Sequence, residues 1–136
     1  MDNYVGRWEL MPEQTTGFDE FSDALGTPKE GREAFRNLVY ILEYAREGDK
    51  WTATAEIKGQ GHPRTYVWSP GVEFEYEGLD GSKMKSTISW DGSVCHEKHA
   101  QVNGGEWTST RRLEGDVIVL SSICKGKEMV QKFKRI

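Results

Sequence analysis

The chain of 136 residues carries 22 Asp+Glu against 18 Lys+Arg, a formal net charge of −4 with a pI near 5.4. That balance argues against nucleic acid as a partner, because phosphate neutralisation calls for a basic surface. Charged residues make up 29% and hydrophobic residues 36%, and no apolar run approaches the roughly 18 to 20 residues of a membrane span, so a soluble protein is expected. The opening MDNYVGRWEL lacks a basic segment followed by an apolar one, and the expected location is the cytoplasm. Cys95 and Cys124 are too few for a disulfide framework and lack metal-ligand spacing, so both read as reduced thiols. Five Trp, five Tyr and five Phe are a large store of ring surface for so polar a chain.

A single domain over residues 1–136 is expected, since no repeat, linker or shift in composition divides the chain. Helical patterning is confined to about residues 16–37 and breaks at Gly26-Thr27-Pro28. Thr16 with Asp19 forms a capping-box pattern ahead of Phe18, Phe21 and Leu25, and Gly26 is a natural stop. Thr27, Pro28 and Glu30 then supply an N-cap, an N1 proline and an acidic third position ahead of Ala34 and Phe35. Helices this short are not stable alone, so they are expected to lie as a lid with Phe18, Phe21 and Phe35 downward. Leu38 to Ala45 is apolar on both faces, as if covered or bent over the core.

Beyond it, turn signals recur at Glu47-Gly48-Asp49, Gly59 to Pro63, Asp80-Gly81, Asp91-Gly92, Asn103-Gly104-Gly105, Glu114-Gly115-Asp116 and Lys125-Gly126-Lys127. Such spacing marks short antiparallel strands joined by hairpins. Trp51, Ala53, Ala55 and Ile57 alternate with Lys50, Thr52, Thr54, Glu56 and Lys58, and Val72, Phe74 and Tyr76 alternate with glutamates. The prediction is an all-β fold, a ten-stranded up-and-down antiparallel β-barrel capped by a helix-turn-helix lid, with closure removing the sheet edges. A barrel of that size encloses a cavity.

The same alternation sends Trp107, Ser109, Arg111 and Leu113 inward, and Met129, Gln131 and Phe133 with them. A guanidinium inside a barrel requires an internal carboxylate, ordered water or a ligand with an anionic head. Its planar fork suits a carboxylate, and Gln131 can donate to or accept from a head group. His96 and His99 have opposite parity on their strand and cannot share a metal. No nucleophile motif or phosphate loop is present, and neither an enzyme, a metal site nor a cofactor is expected.

In order along the chain, Tyr4-Val5-Gly6-Arg7-Trp8, Gly17-Phe18-Asp19-Glu20-Phe21 through Ala24-Leu25-Gly26, Gly48-Asp49, Glu73-Phe74-Glu75, Lys83 to Ile88, Glu106 to Arg111 and Lys132-Phe133-Lys134 resemble the intracellular lipid-binding proteins. These are the cytosolic fatty-acid-binding and retinoid-binding group of the calycins. The resemblance implies a monomeric carrier of one or two hydrophobic ligands, without catalysis. Arg111 falls on the family's first anion-binding arginine. The Arg-x-Tyr pair that commonly completes a carboxylate clamp is replaced by Gln131 and Phe133, an ending that looks like the retinol-binding branch.

The expected ligand is therefore a long-chain fatty acid, with a retinoid or other neutral-headed lipid as the alternative. The head-group residues would be Arg111, Gln131 and Phe133. Cavity and portal residues would be Phe18, Phe21, Pro28, Arg32, Leu42, Trp51, Ala53, Ala55, Phe74, Tyr76, Trp107, Ser109 and Met129. Lys29, Arg32 and Arg36 make the second helix locally basic, which would allow transient contact with anionic membranes.

Overall fold

A computed structural model describes residues 2–78, 81–102 and 104–136; Asp80 and Asn103, from two of the expected turns, lie outside them. Ten antiparallel strands form one sheet: β1 (Gly6–Leu10), β2 (Tyr40–Glu47), β3 (Lys50–Ile57), β4 (Arg64–Trp68), β5 (Phe74–Glu77), β6 (Lys83–Asp91), β7 (Val94–Gln101), β8 (Glu106–Glu114), β9 (Val117–Cys124) and β10 (Lys127–Arg135). Neighbours in sequence are neighbours in space, with β1 against both β2 and β10, in the order β4-β3-β2-β1-β10-β9-β8-β7-β6-β5. Tight hairpins set this register. At the last one Cys124 pairs with Lys127, and Lys125 and Gly126 both have positive φ (50° and 79°), the combination a two-residue turn needs to follow the strand twist.

The barrel is not fully closed, contrary to the expectation that closure removes every edge. β4 and β5 end the sheet, and side chains span the gap between them. Arg64 pairs with Glu77 at 3.0 Å, the Tyr66 hydroxyl donates to the Glu77 carbonyl at 3.2 Å, and Tyr66 meets Tyr76 edge to face at 4.8 Å. Both edges are short, which limits what another strand could pair with. β5 begins at Phe74 rather than Val72, and Val72 stands 58% exposed before it.

Two helices, α1 (Phe18–Leu25) and α2 (Arg32–Arg36), lie where the lid was expected. Their starts differ from the sequence pattern. Thr16 is not an N-cap, because its backbone exchanges both hydrogen bonds with Val130 of β10. Gly17, at φ 74°, turns the chain off that bridge into α1, and a Cβ there would collide with the Glu128 carbonyl. Gly26 ends α1 in the left-handed conformation, as expected. A 3-10 turn over Lys29–Gly31 follows Pro28, so α2 starts only at Arg32 without a side-chain cap. Phe18, Phe21 and Phe35 all line the space beneath the lid, as expected, with Phe21 buried and Phe35 41% exposed.

The core fills one end of the barrel. Trp8 and Ile118 are fully buried, with Tyr4, Leu10 and Phe133 around them. The Trp8 indole donates to the Tyr4 carbonyl at 2.9 Å, and the Arg135 guanidinium lies over its ring at 4.2 Å.

Candidate functional site

Two adjoining chambers occupy the rest of the interior. The inner one, about 150 Å³, is walled by Leu42, Trp51, Ala53, Ala55, Phe74, Tyr76 and Arg111, among others. The outer one, about 450 Å³, lies beneath the lid against Phe18, Phe21, Trp107, Met129 and Gln131. Ala55, Tyr66 and Tyr76 belong to both walls, so the two spaces meet there. Ring surface narrows the inner chamber. Trp51 stacks on Trp68 and leans on Trp90, and Trp68 in turn stacks on Phe74.

Ser109 and Phe133 line neither chamber, whereas Pro28 and Arg32, expected as portal residues, sit on the lid. Pro28 is exposed on the lid. Arg32 is buried within the lid itself. Ser109 faces Ser122, with their hydroxyls 2.8 Å apart. Phe133 belongs to the packed end of the barrel. Nor does the structure bring Arg111 and Gln131 together as one head-group pair. Both are register partners of Leu120, which stands between them; Arg111 lines the inner chamber and Gln131 the outer.

The inner wall carries a hydrogen-bonded chain across four strands. The Tyr76 and Ser86 hydroxyls are 2.7 Å apart, the Ser86 hydroxyl is 2.6 Å from His99 Nδ1, and His99 Nε2 is 2.8 Å from Glu97 Oε1. Arg111 Nε donates to Glu97 Oε2 at 2.5 Å. Of the three ways to satisfy an inward Arg111, the fold thus supplies the internal carboxylate. Burial alone would push Glu97 up; the Arg111 charge and the His99 hydrogen bond outweigh it and hold the carboxyl well below its ordinary range. Arg111 keeps one buried group, Nη1, without a partner among the described residues, and its guanidinium lies 5.9 Å from the Tyr44 ring centre. Tyr4 closes the chamber floor, donating to the carbonyls of Ser93 and Arg111. Burial pushes its phenol up to about 12, so it stays a donor.

Acid, imidazole and hydroxyl stand in the order Glu97, His99, Ser86, an order also used for nucleophilic catalysis. Here Ser86 is 2% exposed and its oxygen is shared with Tyr76, and the chain braces the wall between the inner chamber and a third cavity of about 510 Å³ lined by Ser86, His99 and Trp107.

Residues 2–132 match the family model described as the lipocalin / cytosolic fatty-acid binding protein family. The chain belongs to that family. It is 27% identical to a fatty acid-binding protein of Clonorchis sinensis, over 99% of both chains, and 30% identical to human retinoid-binding protein 7, over 96% of this chain and 95% of the relative. Among solved structures it superposes on a Schistosoma mansoni fatty acid binding protein in complex with arachidonic acid with a TM-score of 0.87 at 20% identity, covering 100% of this chain and 98% of that one.

Within this family fold, the lid is tied by charge. Arg32 reaches across the break between the helices, pairing with Asp23 at 2.7 Å and donating to the Thr27 carbonyl at 2.7 Å. Arg36 pairs with Asp19 and Glu33 and lies over the Phe18 ring. Two of the three cations expected to make α2 basic are therefore answered by lid carboxylates. Arg32→Leu should loosen α1 from α2 by about 1 kcal/mol, modest because the carboxylates are half exposed. Faster amide exchange confined to residues 18–36 would show it; an unchanged lid would mean that packing alone holds the two helices.

Sequence reasoning missed Glu97, His99, Tyr4 and Tyr44 as wall residues. The signal was available for two of them, since Cys95, Glu97 and His99 share one parity on β7 and Cys95 is apolar enough to mark the inward side.

Proposed function

We propose that the protein binds a small hydrophobic ligand inside the barrel and carries it through the cytoplasm as a monomer, without transforming it. The observation that carries this reading is the pair of adjoining chambers, apolar and aromatic over most of their walls, under a two-helix lid. Apolar burial at about 25 cal/mol per Å² supplies the affinity in such a space, while a few polar groups orient the ligand. Relatives named as fatty acid-binding and retinoid-binding proteins support an amphiphile of that size, a long-chain fatty acid or a retinoid.

The test is displacement of a fluorescent amphiphile from delipidated protein by oleic acid and by retinol, each titrated alone at neutral pH. Saturable one-site or two-site displacement by either is expected. If neither competes, and heating shows no stabilisation by either ligand, the reading fails.

A further inference from the structure

We infer that Glu97 sets the head-group specificity of the inner chamber, turning the Arg111 site from an anion receptor into a receptor for a neutral oxygen head, a lipid alcohol above all. The inference rests on the lipid-binding reading above and names the ligand class for that same cavity.

Arg111 is the cation of the inner wall, and its Nε is already committed to Glu97 Oε2. Glu97 is 4% exposed, so solvent does little to screen its charge. The buried pair sums to zero. A ligand carboxylate approaching the Arg111 guanidinium, whose side chain is 16% exposed along the chamber wall, would place a second anion beside the first, two carboxylates sharing one guanidinium, and like charges at that range disfavour one another strongly. The third charge would also be buried without a counter-ion of its own.

A hydroxyl head meets neither cost. It accepts from the Arg111 guanidinium and donates to the Glu97 carboxylate, whose Oε1 takes a hydrogen bond from His99 and whose Oε2 takes one from Arg111 and a weak one from the Cys95 thiol, leaving a lone pair to spare on Oε1. The Tyr44 ring beside the guanidinium adds no charge. Of the other polar groups on this wall, Tyr76 and Ser86 bond each other and His99, and the Cys95 thiol lies 3.7 Å from Glu97 Oε2. None of these is a Lys or Arg side chain.

Oleyl alcohol and oleic acid share one chain and differ only at the head. Displacement of the same fluorescent amphiphile by each should favour the alcohol by about tenfold or more in the wild-type protein. Glu97→Gln leaves Arg111 charged and should swing the ratio toward the acid by at least about tenfold. The double variant Glu97→Gln/Arg111→Gln, neutral again, should return it toward the alcohol. Equal or tighter binding of the acid to the wild type overturns the inference while leaving the lipid-binding reading in place, and needs no variant to fold. An unchanged ratio in a folded Glu97→Gln protein overturns it as well. Failure of both ligands to displace the probe would instead remove the lipid-binding reading, and this inference with it.

Discussion

Glu97→Leu is expected to cost about 3–5 kcal/mol of folding stability, the penalty of leaving one member of a buried ion pair without its partner. For a chain of this length that is a fall in Tm of about 10–20 °C. The guanidinium left behind has no second carboxylate within hydrogen-bonding distance among the described residues. Arg111→Leu should be as damaging, for the mirror-image reason. The double variant Glu97→Leu/Arg111→Leu should recover most of the loss, because two apolar side chains of similar bulk remove both charges together and such replacements are often neutral or stabilising. Urea unfolding of the four proteins completes the cycle. If either single variant is as stable as the double, the pair is not the closed electrostatic unit its geometry implies.

The same pair fixes the sign of an acid effect. The folded protein holds the Glu97 carboxyl below its ordinary value of 4.5. The stabilisation is therefore fully present above that value and is lost progressively as pH falls below it toward the depressed folded value. Unfolding midpoints at pH 7, 4 and 3 should show this loss in the wild type and a smaller one in the double leucine variant. Arg111→Leu alone cannot be read as removal of a carboxylate receptor, since it also strands Glu97 in the chamber wall.

How far the sequence foretold this site follows from the range of each interaction. Strand parity is local, so Trp51, Ala53 and Ala55, or Trp107 and Arg111, could be assigned to one face from neighbours two residues away. The partner of Arg111 could not, because Glu97 lies 14 positions earlier and meets it only through the β7–β8 register that pairs Cys95 with Arg111. Arg111 and Gln131 looked like one head-group pair for a related reason: parity says that both face inward, but not that Leu120 stands between them. In the lid, Thr16 offered a good capping pattern and lost it to a long-range backbone bridge with Val130. Thr27-Pro28 offered another and lost it to a 3-10 turn. Local signals located the lid and its Gly26 stop; tertiary contacts chose where each helix begins. The family pattern carried the barrel and its cavity because it spans the whole chain. It did not carry the pairing of Arg111 with Glu97 or of Arg32 with Asp23, which tertiary contacts set.

Trp51→Ala joins stability to binding most directly, because the ring is both core and cavity wall. It is 1% exposed, stacks at 6.2 Å on Trp68, meets Trp90 at 5.2 Å and lies under the Arg46 guanidinium at 5.7 Å. Truncating a buried aromatic of this kind costs about 3–5 kcal/mol, and here the lost volume adds to an inner chamber of only about 150 Å³. The apo variant should therefore melt well below the wild type yet bind a bulkier ligand than the wild type admits. A ligand that fills the new space stabilises only the folded state, so part of the lost Tm should return as its concentration rises above Kd. Trp51→Phe, which keeps a stacked ring, should fall between the two. Calorimetric melts of all three, with and without retinol, separate the contributions. If the alanine variant loses stability but no ligand restores any of it, the ring serves packing alone and the inner chamber is not where ligand binds. A larger ligand-induced rise in Tm for the alanine variant than for the wild type would place the ligand against β3, on the same wall whose aromatic stack limits the space available to it.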